Sequence, residues 1–198
     1  MEEEFRIIKD YDNYSVSNLG NIKNNKTGKI MKLSMDGKGY YKINLFNDKK
    51  PQTKYVHRLV GETFIPNPLN KKCIDHKDNN PLNNHISNLR YATHQENQFN
   101  QQLSSSNTSG SKGVHFNKRE KKWVAKIKVN GKSKHLGLFD KKEDAIRARV
   151  LKAKELYGEF MNECEKIKDE IAELKDDKQR ELDQIEELDR ELDEILNC

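Results

Sequence analysis

Ile74-Asp75-His76-Lys77-Asp78-Asn79-Asn80-Pro81-Leu82-Asn83-Asn84-His85-Ile86-Ser87-Asn88-Leu89-Arg90-Tyr91-Ala92-Thr93-His94-Gln95-Glu96-Asn97 packs three His, three acids and six Asn into 24 positions. Composition alone would make this a polar surface loop, but its order argues otherwise. Ile74-Asp75-His76 reads as the end of a β-strand and Asn88-Leu89-Arg90-Tyr91-Ala92 as a second strand. Thr93-His94-Gln95-Glu96 has the form of a capping box that starts a helix. Strand, loop, strand, helix brings Asp75, His76 and the first helical turn together. Asn97 lies 22 residues after Asp75, one turn into that helix. A carboxylate and an amide oxygen can then meet around one hard cation, Mg²⁺ or Mn²⁺, which keeps several waters and accepts phosphate oxygens. His76 beside them has the pKa for proton transfer near neutrality. Adjacent strand residues point to opposite faces, so the backbone must bend here if Asp75 and His76 are to serve one phosphate.

Outward toward the N-terminus, Val56-His57-Arg58-Leu59-Val60-Gly61-Glu62-Thr63-Phe64 places apolar residues at 56, 59, 60 and 64, a short helix stopped by Pro66 and Pro68. His57 is expected to pack between helix and sheet, His85 to lie in a loop near the ligand, and His94 to sit in a first helical turn. Before position 56, turn signals such as Asn18-Leu19-Gly20 and Asp36-Gly37 separate short β-prone stretches, predicting a small antiparallel sheet. Toward the C-terminus, Gln101-Gln102-Leu103-Ser104-Ser105-Ser106-Asn107-Thr108-Ser109-Gly110-Ser111 reads as a flexible linker. Three strands follow, 113–117, 122–129 and 132–139, the last two joined by the hairpin turn Asn130-Gly131. Asp140 is expected to cap a helix to about Tyr157, lying on the sheet through Ala145, Ala148, Leu151 and Ala153.

The charge is divided along the chain. The protein has 198 residues, 35% of them charged and 33% hydrophobic, with a net charge of +5. Residues 163–198 hold 15 acidic and 6 basic side chains, and residues 1–162 hold 31 basic and 17 acidic. A basic body implies a polyanion partner, and an acidic tail a different role. In that tail apolar residues recur at 167, 171, 174, 185, 188, 192 and 195, with Lys178 and Glu181 in the two core slots between, a coiled-coil seam with a polar interruption. So little apolar material favours several small modules over one large core. No run reaches the roughly 18 apolar residues of a membrane span, and the N-terminus has no signal-peptide pattern, so neither an integral membrane protein nor a classically secreted one is expected. Cys73, Cys164 and Cys198 form neither a disulfide framework nor a Cys-x-x-Cys zinc knuckle, which implies a reducing, intracellular compartment and no structural zinc.

The first 100 residues resemble the HNH homing endonucleases of ββα-metal fold, particularly the phage intron-encoded kind. The resemblance runs from Tyr11-Asp12-Asn13-Tyr14-Ser15-Val16-Ser17-Asn18-Leu19-Gly20, similar to a NUMOD-type module, through Val56-His57-Arg58-Leu59-Val60 and Asp75-His76-Lys77-Asp78 to Asn83-Asn84, Asn88-Leu89-Arg90 and Asn97. It implies that His76 is the general base, that Asp75 and Asn97 hold one divalent metal, and that Asn88 orients the His76 imidazole by a hydrogen bond. Cleavage would leave 5′-phosphate and 3′-hydroxyl ends. Asn79 stands where the family commonly has Gly, a mild change because Asn tolerates left-handed backbone. Phe5 stands where an N-terminal Trp is usual, and Asn97 replaces the generic third His as the metal-ligand variant of this subfamily.

Residues 112–160 resemble the APETALA-type DNA-binding domain of plant ethylene-response factors, through Lys112-Gly113-Val114-His115, Lys122-Trp123-Val124-Ala125-Lys126-Ile127-Lys128, Leu136-Gly137-Leu138-Phe139 and Glu143-Asp144-Ala145. Alternation puts Trp123, Ala125, Ile127 and Val129 on a helix-facing side and Lys122, Val124, Lys126 and Lys128 on the other. Gly113, His115, Asn117, Ser133 and His135 are expected to join this outer face. The resemblance implies a sheet that reads the major groove, with Lys112, His115 and Asn117 where the family's usual Arg readers stand.

The expected architecture is α+β: a small antiparallel β module (1–55), a ββα-metal nuclease core (56–100), a linker (101–111), a three-stranded antiparallel sheet plus helix (112–162) and an acidic coiled-coil helix (163–198). The expected function is a metal-dependent, site-specific DNA endonuclease of homing type, one Mg²⁺ or Mn²⁺ per active site, acting on double-stranded DNA inside a phage- or virus-infected host cell, in cytoplasm or nucleus. One site per chain nicks; a homodimer through the coiled coil, in parallel, would place two sites for a double-strand break. The alternative is a catalytically silent, sequence-specific DNA-binding regulator with a coiled-coil interaction tail. The set Asp75, His76, Asn88 and Asn97 separates the two and is intact.

Overall fold

The computed structural model describes residues 2–47, 50–161 and 163–196. The chain divides into two compact units, Met1–Gln102 and Leu103–Cys198.

In the first unit, β1 (Phe5–Ile8), β2 (Tyr11–Ser17) and β3 (Ile22–Asn24) form one antiparallel sheet, and β4 (Ser34–Met35), β5 (Tyr41–Phe46) and β6 (Pro51–Tyr55) a second. Helix α1 (Val56–Phe64) follows β6 directly. It ends at Ile65, the residue before Pro66, where proline disfavours helical backbone. Its buried side carries Val56, His57, Leu59 and Val60, the face that the apolar spacing predicts. These residues share one core with Ile8, Tyr11, Tyr14, Val16, Ile22, Ile43, Leu45 and Leu89. The position 55/56 therefore separates sequence motifs, and the hydrophobic core runs across it.

On this core lies the two-stranded ribbon of β7 (Cys73–His76) and β8 (Leu89–Ala92), paired Asp75 to Arg90 and His76 to Leu89, with α2 (His94–Asn100) after it. The expected capping box is formed: Thr93 Oγ1 accepts from Glu96 N, and Glu96 accepts from Thr93 N at 2.6 Å. A Cβ placed on Gly61 of α1 would lie 2.2 Å from Ile74 Cδ1, so glycine there sets how closely helix and ribbon approach.

In the second unit, β9 (Val114–Asn117), β10 (Lys122–Val129) and β11 (Lys132–Phe139) form an antiparallel sheet with β10 central. Asn130 and Gly131 have φ of 49° and 78°, the two positive values that a tight hairpin requires. Helix α3 (Lys142–Tyr157) packs on the sheet, and α4 (Glu163–Leu196) extends over 34 residues.

Several expectations are corrected here. Asp140 does not cap α3: the N-cap is Lys141, without a side-chain cap bond, and Asp140 pairs with Lys122 Nζ at 3.1 Å. Val150, not Leu151, is buried beside Ala145 and Ala153; Leu151 is 50% exposed, because the sheet-facing stripe of α3 passes one residue earlier. The 101–111 segment is a run of turns rather than free chain. Asn107 Oδ1 accepts from Gly110 N at 2.7 Å, and Ser109 Oγ donates to Ser111 O at 2.9 Å with both serines buried. Leu192 and Ile195 of the acidic seam, and Cys164 and Cys198, fall outside the residues whose side chains are described.

Candidate active site

Asp75 and His76 occupy the last two positions of β7, and the chain turns immediately after them. Asn79 N donates to His76 O at 3.0 Å, and Asn79 takes φ of 59°, the left-handed conformation that its side chain tolerates in place of glycine. Asp75, His76 and Asn97 line one open cavity of about 110 Å³, together with Tyr40, Asn79 and Pro81.

His76 is buried, and its Nε2 lies 3.2 Å from Asn84 Oδ1. The Asn84 amide nitrogen donates to Leu82 O at 3.2 Å, which turns its oxygen toward the imidazole. An amide oxygen only accepts, so Nε2 carries the proton and Nδ1 keeps the lone pair. Burial holds the His76 pKa below the ordinary imidazole value, against the opposing effects of the Asn84 hydrogen bond and of Asp78 and Asp75. The ring is therefore neutral at neutral pH, as a base must be.

The side chain expected to orient His76, Asn88, does something else. It ends a 3₁₀ turn (Ile86–Asn88) just before β8, and from there its amide closes the loop. Nδ2 donates to Asp78 Oδ1 at 2.9 Å and to Asn83 O at 2.8 Å, while Oδ1 accepts from Asp78 N at 3.1 Å. Partial burial pushes the Asp78 pKa up, but the bonds from Asn80 N, Asn83 and Asn88 to its carboxylate together hold it below the ordinary value.

Asp75 is 3% exposed and is fixed from two sides. Arg90, its cross-strand partner, places Nε and Nη2 each 2.8 Å from Oδ2. Asn100, one turn beyond Asn97, donates from Nδ2 to Asp75 Oδ1 at 3.1 Å and to His76 O at 2.7 Å. Asn100 thus staples α2 onto the end of β7. Sequence reasoning missed Asn84, Arg90 and Asn100; the i, i+3 spacing of Asn97 and Asn100 and the pairing of position 90 with 75 were the available signals.

The cavity is lined by the Asp75 carboxylate and by the side-chain amides of Asn79, Asn97 and Gln101, beside the His76 imidazole. Among the described residues no group of three His, Cys, Asp or Glu could hold a metal ion by itself. The carboxylate and amide oxygens fit a hard divalent cation that completes its shell with water and phosphate oxygens.

His57 stacks behind the base. It is buried, its ring centroid lies 5.3 Å from that of His76 and 5.2 Å from that of Tyr40, and its Nδ1 has no hydrogen-bond partner among the described residues. Burial, then the nearby His76 and Arg58, depress its pKa to about 4. This agrees with a packing role. His85 lies in the loop as expected, bonded to Ser87 Oγ at 2.7 Å, and His94 begins α2 with Nδ1 3.2 Å from Cys73 Sγ.

The segment with this geometry matches the family model of the HNH endonucleases over residues 54–99, and residues 3–46 match the NUMOD4 motif. The chain belongs to the HNH endonuclease family. It is 40% identical over 99 residues to the DNA endonuclease I-HmuI of Bacillus phage SP01, covering 50% of this chain and 57% of that protein. It is 38% identical to Protein 3.8 of Escherichia phage T7, covering 44% of this chain and 71% of that protein. To the uncharacterized HNH endonuclease L245 of Acanthamoeba polyphaga mimivirus it is 46% identical over 87 residues, 44% of this chain and 26% of the relative. A solved structure of the HNH homing endonuclease I-HmuI, concerned with DNA binding and cleavage, aligns at 33% identity and a TM-score of 0.48, covering 67% of this chain and 76% of that one. The chain spans between 23% and 57% of the lengths of the first curated relatives that it matches. HNH endonucleases are generally dependent on divalent metal. No helix among the described residues is long and apolar enough to cross a membrane.

Apart from Lys112, the residues expected to read DNA in the second unit share one sheet face. Cross-strand partners are Lys122 with Asn117, Val124 with His115, Lys126 with His135 and Lys128 with Ser133. An irregularity between Ala125 and Lys126, opposite Gly137, brings His135 rather than Leu136 against Lys126. Val124 departs from the expected solvated face, being 3% exposed. Gly113 precedes β9, and a Cβ there would lie 2.1 Å from Lys126 O, so its role is close backbone approach rather than contact with a ligand. Lys112, like Gly113, precedes β9 in a turn and is not part of the ladder.

Proposed function

We propose that this HNH-family chain is a site-specific DNA endonuclease of homing type, hydrolysing phosphodiester bonds to 5′-phosphate and 3′-hydroxyl ends. The observation that carries this is the convergence of Asp75, His76 and Asn97 on one open cavity.

In this reading Nδ1 of neutral His76 accepts the proton of an attacking water, while Asn84 keeps Nε2 protonated and the ring fixed. Asp75 and Asn97 hold one Mg²⁺ or Mn²⁺, which when bound supplies charge neutralisation at the phosphate oxygens and the leaving 3′-oxygen. Arg90 and Asn100 keep the Asp75 carboxylate aimed, and Asn88 acts through the loop that carries Asn84 rather than on the imidazole itself. A second cavity of about 260 Å³, lined by Arg58, Lys71, Lys72 and Tyr91 among others, shares Ile74 with the first and offers cationic groups to the flanking backbone.

The second unit serves as an APETALA-like reader of the major groove, through Lys112, His115, Asn117, Lys126, Lys128, Ser133 and His135. The observation in its favour is the cross-strand pairing of all but Lys112 on one face. The acidic helix takes a second copy of the chain as its partner. The protein acts on double-stranded DNA inside a phage- or virus-infected host cell, a reading that its phage- and virus-related homologues favour.

Asp75→Asn and Asn97→Ala test the metal assignment. Each is expected to lower cleavage at limiting Mn²⁺ at least about tenfold, with recovery as Mn²⁺ is raised, because each removes or weakens one oxygen ligand. Cleavage as fast as wild type in both variants at every metal concentration would refute the assignment.

A further inference from the structure

The first part of helix α4, up to Asp176, is paired with α3 on one side, and beyond it every side chain described is exposed. Arg147 and Lys154 of α3 pair with Asp176 and Glu173, the latter at 2.8 Å, and Arg149 reaches Glu165 at 3.4 Å with both side chains buried. In heptad terms these acidic residues lie at positions b, c and f when Ile171 is assigned to a and Leu174 to d. The a and d side chains are left in solvent: Ile167, Ile171, Leu174, Ile185 and Leu188 are all about half exposed or more. Lys178 occupies the next a position and Glu181 the next d.

We propose that this seam binds the same seam of a second copy in antiparallel orientation, with Lys178 facing Glu181 of the partner subunit. This rests on the reading of the acidic helix as a self-association element and deepens it by fixing orientation and register.

The charge pattern carries the inference. In a parallel in-register pair, a faces a and d faces d, so Lys178 would meet a second Lys178 and Glu181 a second Glu181, both inside the seam. In an antiparallel pair, a faces d. The single register that sets Lys178 against Glu181 also sets Ile171 against Leu188 and Leu174 against Ile185, and two-fold symmetry repeats each layer. Six consecutive layers then contain four apolar contacts and two opposite-charge pairs. The polar interruption that weakens the seam in one orientation is self-complementary in the other, the use of buried polar groups best attested in coiled coils. A helix of 34 residues spans roughly 50 Å at 1.5 Å per residue. The antiparallel pair therefore starts its two helices at opposite ends of a rod of about that length, roughly 15 base pairs of DNA at 3.4 Å per pair. Such a pair spaces two sheet readers along a duplex instead of bringing them to one point.

Sedimentation equilibrium and disulfide trapping with peptide mapping, both on the full chain, test this. The wild type dimerises. Lys178→Glu and Glu181→Lys each weaken the dimer about tenfold or more, since each places like charges in two layers. The double exchange restores affinity to within about threefold of wild type. Mixed Leu174→Cys and Ile185→Cys chains yield a 174–185 disulfide, and Leu174→Cys alone yields no 174–174 bond. A dimer that traps 174–174, or that ignores the charge exchange, overturns the antiparallel register and leaves self-association standing. A chain that stays monomeric up to its solubility limit overturns both.

Discussion

At Asn84 and Asn88 two amides share the work of placing one imidazole. Asn84 touches the base, and Asn88 holds the loop on which Asn84 sits. Asn84→Ala is expected to lower the single-turnover cleavage rate about 100-fold, the scale of a catalytic group displaced by about an ångström, with little change in DNA affinity and a lower melting temperature, because it leaves the buried His76 Nε2–H unpaired. Asn88→Ala lowers the melting temperature as well, because it leaves the Asp78 and Asn83 groups unpaired. A wild-type cleavage rate in Asn84→Ala, or a wild-type melting temperature in Asn88→Ala, would contradict that division. His57 gives the pH dependence its sign. Folded His57 titrates near 4 and an unfolded histidine near 6.5, so the unfolded chain binds more protons between those values. Stability is therefore full above about pH 6.5 and falls as the pH drops toward 4, by an amount on the order of 2 to 3 kcal/mol from this residue. Urea midpoints should show a shallower acid decline in His57→Phe than in the wild type; an identical decline would remove His57 as its source.

Elements were legible where a local pattern had one physical solution. The spacing 56, 59, 60, 64 before Pro66 gave α1, Thr93 with Glu96 gave the start of α2, and Asn130-Gly131 gave the hairpin. Asp75, His76 and Asn97 were legible for the same reason, since strand, turn and capped helix leave them little choice of neighbourhood. Contacts made across elements were not. Asn84 meets His76 through an irregular loop with no period to read, and Val124 is buried although strand alternation puts it on the outer face. The start of α3 slipped because Asp140 found a cation, Lys122, on a neighbouring strand, a competitor that no local window contains. The approach of α1 to β7 belongs to the same class. Gly61→Ala is expected to destabilise the first unit by about 1 kcal/mol, because the new methyl would overlap the Ile74 side chain and make it change rotamer. Denaturant titration measures this directly, and a neutral result would mean that Ile74 repacks freely.

Across the whole molecule the charge is divided between a basic body of 162 residues and an acidic helix, and the proposed function gives DNA recognition to the first and self-association to the second. If about six to eight cationic side chains meet phosphates, log K for DNA falls against log salt with a slope of roughly −5 to −7. Lys126→Ala and Lys128→Ala, on the sheet face, each reduce that slope by about 1 if they contact backbone. A slope near zero would remove the groove-binding reading of the second unit while leaving the nuclease cavity untouched. The cavity itself is tested by single-turnover cleavage of supercoiled plasmid carrying random inserts, with Mg²⁺ or Mn²⁺ and with EDTA, comparing wild type and His76→Ala at matched DNA occupancy. Metal-dependent nicked or linear product from the wild type, lost in His76→Ala and in EDTA, is the expected result. Plasmid that is bound equally by both proteins and cut by neither, or cut equally by both, would contradict His76 as the base.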